Sequence, residues 1–167
     1  MVISLTGFMG CGKSTWGASL ARKMGVPFLD LDNYICDREG RSIPAIFASE
    51  GEAGFRKIEQ ECLEEVLAQY ADAPGKLVLA LGGGTVTTPA CAKLVREKTF
   101  CIWLEASAEE LRRNLAGGDG RPMLKARGLE ELLREREPLY AAVAARRVLT
   151  DGVEPEKMIS LLENLIN

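Results

Sequence analysis

Gly7-Phe8-Met9-Gly10-Cys11-Gly12-Lys13-Ser14 sets three glycines, a lysine and a hydroxyl in fixed register between an apolar run, Val2 to Leu5, and a segment with helical periodicity. The pattern suits the capture of phosphates. Backbone N–H groups of a Gly-rich turn can surround phosphate oxygens, and the helix that follows adds unpaired N–H groups and the positive end of its dipole. Lys13 would reach the β and γ phosphates of a nucleotide, and the Ser14 hydroxyl would ligate a Mg²⁺ bridging them. A Gly-rich turn that binds nothing is the plainer reading, and the register of Gly, Lys and Ser between strand and helix speaks against it. Cys11 fills a slot open to many small residues, so its thiol reads as packing.

Two carboxylates, Asp30 and Asp32, emerge at the end of a second apolar run, Val26 to Leu31. Beside a phosphate loop they could divide the work: Asp30 would help hold a hydrated Mg²⁺, and Asp32 would accept a bond from the hydroxyl that attacks phosphorus. Asp32 could equally cap the next helix, and the two roles are compatible. The chain has no histidine, which removes imidazole bases, Ser-His triads and imidazole metal sites together. Any proton acceptor is a carboxylate or water.

At about 100° per residue, Phe55, Ile58, Cys62, Leu63, Val66, Leu67 and Tyr70 form one apolar arc, with Lys57, Glu61, Glu64 and Glu65 opposite. Arg56 and Glu59 fall inside the arc. Half-buried charges are costly unless paired, and a spacing of three lets Glu59 hold the Arg56 guanidinium. An oriented arginine at a cleft reads carboxylates or phosphates; the alternative is a structural ion pair at the edge of the core. Leu129, Leu132, Leu133, Arg136 and Tyr140 repeat the pattern, so Arg136 occupies an inward position, as a second reader or as a snorkelling stem. Pro138 is expected to disturb that helix.

Gly82-Gly83-Gly84 ends another apolar run, three residues without Cβ where the chain must turn sharply or admit a ligand to its backbone. Between Asn114 and Gly128, four glycines alternate with Arg121, Lys125 and Arg127. This basic segment reads either as a lid, with Arg121 stabilising a transferring phosphoryl group, or as a mobile surface loop.

The elements that must position these groups follow from the apolar runs at 2 to 6, 26 to 31, 76 to 81, 99 to 104 and about 146 to 150, separated by helical periods. Strands alternating with helices argue for an α/β fold: a mostly parallel sheet covered on both faces, with ligands at the carboxyl ends of the strands. At 167 residues, 47% hydrophobic and 27% charged, one domain is expected. A net charge of −3 argues against a nucleic-acid surface. No apolar run approaches the length of a spanning helix and no signal peptide is read, so a cytoplasmic protein without a membrane segment is expected. Five cysteines without CxxC spacing fit reduced thiols, with Cys62 and Cys101 in the core.

These motifs together resemble the shikimate kinase family over nearly the whole chain. Gly7 to Thr15 corresponds to its ATP loop and Asp30-Leu31-Asp32 to its acidic pair. Ile46-Phe47, Gly51-Glu52 and Phe55-Arg56 resemble its substrate-binding segment, and Gly82-Gly83-Gly84 its third-strand triplet. Arg121-Pro122-Met123-Leu124 is similar to its lid motif, and Arg136 with Pro138-Leu139-Tyr140 to its second substrate arginine. The resemblance implies a nucleoside-monophosphate-kinase-like fold, a five-stranded parallel sheet in the order 2-3-1-4-5. Residues 1–167 would form a single domain, with a substrate-binding segment near 32–60 and a lid near 114–128. It also implies transfer of the ATP γ-phosphoryl group to the 3-hydroxyl of shikimate, with Mg²⁺ held by Ser14 and, through water, Asp30.

By the same resemblance Gly10, Cys11, Gly12, Lys13, Ser14, Thr15 and Arg121 bind ATP, and Lys13, Asp32 and Arg121 are catalytic. Asp32, Gly82 and Gly83 contact shikimate; Arg56, held by Glu59, and Arg136 grip its carboxylate; Phe47 and Phe55 wall its ring. Met123 stands where the family usually has Leu, and the segment Asp151 to Pro155 lacks an arginine that some members use at the adenine site. Another metabolite kinase, acting on gluconate or a nucleoside monophosphate, is the nearest alternative. A nucleotide-dependent regulatory switch is a further one, although its DxxG-like stretch, Asp37 to Gly40, falls in a helical segment and no NKxD follows. A monomer is the default expectation.

Overall fold

A computed structural model describes residues 1–116 and 128–167. Five parallel strands, β1 (Val2–Thr6), β2 (Phe28–Asp30), β3 (Leu77–Ala80), β4 (Thr99–Glu105) and β5 (Arg146–Leu149), form one sheet in the order β2-β3-β1-β4-β5. The expected alternation and strand order are both present. β1 (VISLT) and β3 (LVLA) are buried along their whole length, as strands covered on both faces must be; β3 is accordingly apolar throughout, and β1 is interrupted only by the small hydroxyls of Ser4 and Thr6. The second run is shorter than its apolar stretch suggests, because only Phe28 to Asp30 pair with Val78 to Ala80.

Successive side chains of β1 point to opposite faces. Leu5 faces helix α1 (Lys13–Met24), where Gly17 lets Phe28 and Leu5 come close; Ser4 faces the other way and bonds Thr99 at 2.7 Å. Helix α7 (Pro155–Ile166) packs beside α1, whereas α4 (Pro89–Lys98) and α6 (Leu129–Val143) pack together and against β4. Helix α5 (Ala108–Leu115) follows β4, and among the described residues a 3-10 turn (Thr85–Thr87) joins the glycine triplet to α4. Helix α6 runs on through Pro138 to Val143, so the expected disturbance does not end it; packing of Tyr140 and Val143, both buried, outweighs the hydrogen bond that proline removes.

Helices α2 (Leu31–Glu39) and α3 (Ile43–Tyr70) form the flank beside β2. Ser42 caps α3 by accepting from Ala45 N–H at 3.2 Å, with Pro44 in the first turn. At Gly51 the backbone leaves helical geometry (φ 71°, ψ −177°), splitting α3 into a short arm and a long helix that carries Phe55 to Tyr70. Only glycine takes that conformation without steric cost, so the angle between the arm holding Phe47 and the helix holding Arg56 is set there. Cys62 and Cys101 are core, and all five thiols are unpaired. Burial pushes the Cys62 and Cys101 thiols up to about 11, which leaves them inert. Among the described residues no helix is long and apolar enough to cross a membrane.

Candidate active site

The strands end at Thr6, Asp30, Ala80, Glu105 and Leu149, and the loops beyond those ends enclose an open cleft of about 1000 Å³. That is at the upper end of the range for small-molecule sites, with room for two ligands. Every candidate residue named from the sequence lines it except Arg121, which lies outside the described residues together with the rest of 117–127.

Gly12 ends the phosphate loop at φ 93° and precedes α1, which opens on Lys13 with unpaired N–H groups facing the cleft. The Lys13 ammonium is 8% exposed and donates to the carbonyls of Gly7 at 2.8 Å and Phe8 at 3.0 Å, inside the curve of the loop. Cys11 is buried with its Sγ 3.8 Å from that ammonium. The thiol is packed inside the loop, as its small-residue slot suggests.

Ser14 Oγ donates to Asp30 Oδ2, so the two groups expected to share a metal are in contact. Asp30, not Asp32, caps α2, with its Oδ1 accepting from Asn33 N–H at 3.1 Å. Strand β2 stops at Asp30 and the helix begins at Leu31, so Asp32 sits in the first helical turn rather than on the strand face shared with Asp30. A helix begun two residues earlier than the apolar run suggests turns Asp32 toward Gly82, where a Cβ would lie 2.9 Å from its Oδ1. Burial, then Asp30, then Glu59 push the Asp32 carboxyl up to about 6, with Lys13 and Arg56 pulling the other way. That is the range in which a general base works best at neutral pH.

The two arginines line the same cleft, both turned inward as helical periodicity predicts. Arg56 Nη1 donates to Glu59 Oε1 at 2.8 Å, and Glu59 is 1% exposed. The Arg56 Cζ lies 5.2 Å from the Phe55 ring centroid, and Phe55 packs on Phe47 at 4.7 Å. Arg136 is 3% exposed with its Cζ 5.9 Å from the Phe8 ring. Burial pulls its pKa down from the ordinary guanidinium value, which leaves an arginine charged at any ordinary pH. Arg136 Nη1 is buried without a hydrogen-bond partner, and Arg56 Nε, likewise without one, has only the Glu52 carboxylate at 3.6 Å. Buried donors of this kind are rare and call for an anionic or carbonyl acceptor. A planar carboxylate suits a guanidinium fork.

The glycine triplet lies against all of these groups. A Cβ at Gly82 would meet Asp32, Glu59 Oε2 and Thr85 Oγ1 at 2.9 to 3.0 Å; one at Gly84 would lie 2.8 Å from Arg56 Cζ; one at Gly83 would come 3.6 Å from Arg136 Nη1. The chain turns here, with Thr85 N–H donating to the Gly82 carbonyl at 3.3 Å, but none of the three has a positive φ; close approach, not backbone freedom, accounts for the glycines.

Three hydroxyls hold this wall, and the sequence reading assigned none of them a role. Tyr140 OH donates to the Gly83 carbonyl, Thr87 Oγ1 to the Gly84 carbonyl at 2.6 Å, and Thr85 Oγ1 to Glu59 Oε2 at 2.9 Å. The available signal is that two threonines follow a buried glycine turn, where a hydroxyl needs a partner. Thr85→Val is expected to destabilise the protein by about 1.5–3 kcal/mol, the worth of a hydrogen bond to a buried charge. It should also raise the KM for the acceptor severalfold while the KM for ATP stays put. Thermal unfolding and paired saturation curves check both.

For a divalent ion the donor set is favourable but partial. Ser14 and Asp30 offer hard oxygens, and among the described residues no group of three His, Cys, Asp or Glu could hold an ion alone. An ion here would share its shell with phosphate oxygens, which is the habit of Mg²⁺.

Comparison with known proteins agrees with this geometry. A shikimate kinase from Synechococcus elongatus is 42% identical over 156 residues, covering 91% of this chain and 79% of that protein. The structure of shikimate kinase from Acinetobacter baumannii in complex with shikimate superposes with a TM-score of 0.91 at 33% identity, covering 99% of this chain and 92% of that one. The enzyme from Aquifex aeolicus gives 0.83 at 32%, with 99% and 96% covered. A family model for shikimate kinase matches residues 9–166, and the chain belongs to that family.

Proposed function

We propose that this chain transfers the γ-phosphoryl group of ATP to the 3-hydroxyl of shikimate, giving shikimate 3-phosphate and ADP on the route to aromatic amino acids. The observation that carries the reading is the common cleft: a phosphate loop and two inward guanidinium groups line it together, with Asp32 close enough to be acted on by both Lys13 and Arg56. A carboxylate held by Arg56 and Arg136 fixes the acid end of the acceptor. Gly82 and Gly83 admit its ring to the backbone, and Phe47 with Phe55 covers its apolar side. Its hydroxyl then meets Asp32, which orients it toward the terminal phosphorus and takes its proton. Chemistry of this kind is mostly positioning.

Ser14 and Asp30 would hold Mg²⁺ together with the phosphates; when bound, the ion neutralises charge on the β and γ oxygens. Lys13 supplies a further positive charge to the same oxygens. By resemblance, Arg121 covers the ATP phosphates as part of a lid spanning 114–128. A cytoplasmic monomer of one domain is the accompanying proposal.

Gluconate offers a carboxylate without a rigid ring, and a nucleoside monophosphate offers a dianionic phosphate; neither calls for two arginines over a glycine triplet beside paired phenylalanines. A regulatory switch has no use for that end of the cleft at all. The test is ADP release measured side by side with shikimate, quinate, gluconate and AMP. Turnover is expected with shikimate far above the others. Turnover greatest with gluconate or AMP, or with no acceptor at all, would overturn the assignment.

A further inference from the structure

We propose that Trp16 is a nucleoside-binding residue of this chain, its indole forming the wall against which the sugar and base of the phosphoryl donor lie. The inference rests on the kinase reading above and adds a residue to it.

In-line transfer puts the terminal phosphorus between the acceptor and the rest of the nucleotide. The acceptor end is marked by Arg56, Arg136 and Gly83, so the nucleoside leaves the phosphate loop on the other side. Ser14 and Trp16 are two positions apart, which at 100° per residue places their side chains about 160° apart around the axis. Ser14 reaches Asp30 at the end of β2, one edge of the sheet. Trp16 therefore projects toward the opposite flank, where β5 and the turn into α7 lie and where α7 packs beside α1.

The cleft reaches both Trp16 and that turn: Trp16, Asn114 and Gly152 to Pro155 all line it. Neither an aromatic nor a cationic side chain occurs between Thr150 and Pro155, so the indole is the large π-surface of this end among the described residues. Phe47 and Phe55 belong to the acceptor end.

The indole is also fixed rather than free. Its five-membered ring lies against Gly12, where a Cβ would come within 2.8 Å of Cδ1 and Nε1. The same glycine that shapes the phosphate cradle thus makes room for the ring one turn along. Trp16 is half-buried, and its Nε1–H has no hydrogen-bond partner among the described residues, which leaves a donor for a ribose or base oxygen or nitrogen. Stacking on an aromatic ring tolerates any base, because every base has a π-face.

Fluorescence gives a direct test. In Trp103→Phe, Trp16 is the sole tryptophan. Its emission is expected to change on titration with ADP and to stay within a few per cent on saturation with tripolyphosphate, which fills the cradle without a nucleoside. Trp16→Leu is expected to raise the KM for ATP about tenfold, with the KM for shikimate within twofold and inhibition by tripolyphosphate unchanged. Trp16→Phe, which keeps an aromatic face, should stay within about threefold of the parent. Equal responses to ADP and tripolyphosphate, or an unchanged KM for ATP in a turning-over Trp16→Leu enzyme, would overturn the proposal and leave the kinase reading intact. Lack of shikimate-dependent ADP release in the parent would overturn the kinase reading instead. Should Trp16→Leu fail to fold, the fluorescence arms and Trp16→Phe decide.

Discussion

Asp32→Asn is expected to lower kcat by about 10²–10⁴, the usual worth of a positioned general base, while ADP binding stays close to that of the parent protein. The amide keeps the shape of the carboxylate but can neither take the proton nor accept the hydroxyl as strongly. The substitution should also stabilise the fold at neutral pH, and the sign follows from the raised value. The folded-state pKa, about 6, lies above the 3.8 of the unfolded chain, so ionised Asp32 costs the folded protein stability above pH 6, and that cost fades as pH falls toward 4. Because the carboxylate faces an open cleft rather than dry interior, the gain is on the order of 1–2 kcal/mol. Melting temperatures of parent and variant should diverge at pH 7.5 and converge near pH 4. In the parent, kcat/KM for shikimate should fall about tenfold per unit below pH 6, and this acid limb should be absent from the residual activity of Asp32→Asn. Near-parental turnover in the variant would remove Asp32 from the mechanism.

Arg136→Ala should raise the KM for shikimate by about 10²–10³, because truncating one partner of a buried charge pair costs roughly 2–5 kcal/mol. Turnover at saturation should fall far less, and the KM for ATP should serve as an unmoved internal control. Arg136→Lys is not expected to restore binding. An ammonium cannot present the two parallel N–H groups of a guanidinium, and at 3% exposure it would shed its proton sooner. Shikimate saturation curves at fixed high ATP decide the matter, and a KM within fivefold of the parent would place the substrate carboxylate elsewhere.

The parts of this site legible in the sequence are those whose signal is local. The phosphate loop is contiguous, and its strand and helix flank it directly. The inward arginines show because helical periodicity is strict: Arg56, Glu59 and Arg136 stand where apolar residues belong, and they are where that placement puts them. Strand alternation was legible for the same reason, whereas the strand order came with the family resemblance.

The rest depends on contacts between segments far apart in the chain. Thr85 finds Glu59 across 26 positions and Tyr140 finds Gly83 across 57, distances over which no spacing rule operates. The change from Asp32 to Asp30 as the capping residue reflects a boundary two residues off, well within the usual uncertainty of helix ends. Pro138 misled in another way, since local propensity is a weak prior once tertiary packing enters. Trp16 shows the same limit, because its side of α1 has meaning only once β5 and α7 are placed beyond it.

The glycine triplet constrains what selection can do with this enzyme. At Gly82 and Gly84 any added carbon collides with Asp32, Glu59 or Arg56, the groups proposed to hold the acceptor, so the two ends of that wall offer almost no tunable positions. Adaptation to a bulkier acid, or escape from an inhibitor that fills the ring pocket, must therefore come through the facing pair Phe47 and Phe55, or through the bend at Gly51 that sets the spacing between them. Libraries built on those three codons should yield altered acceptor preference far more often than libraries built on the triplet.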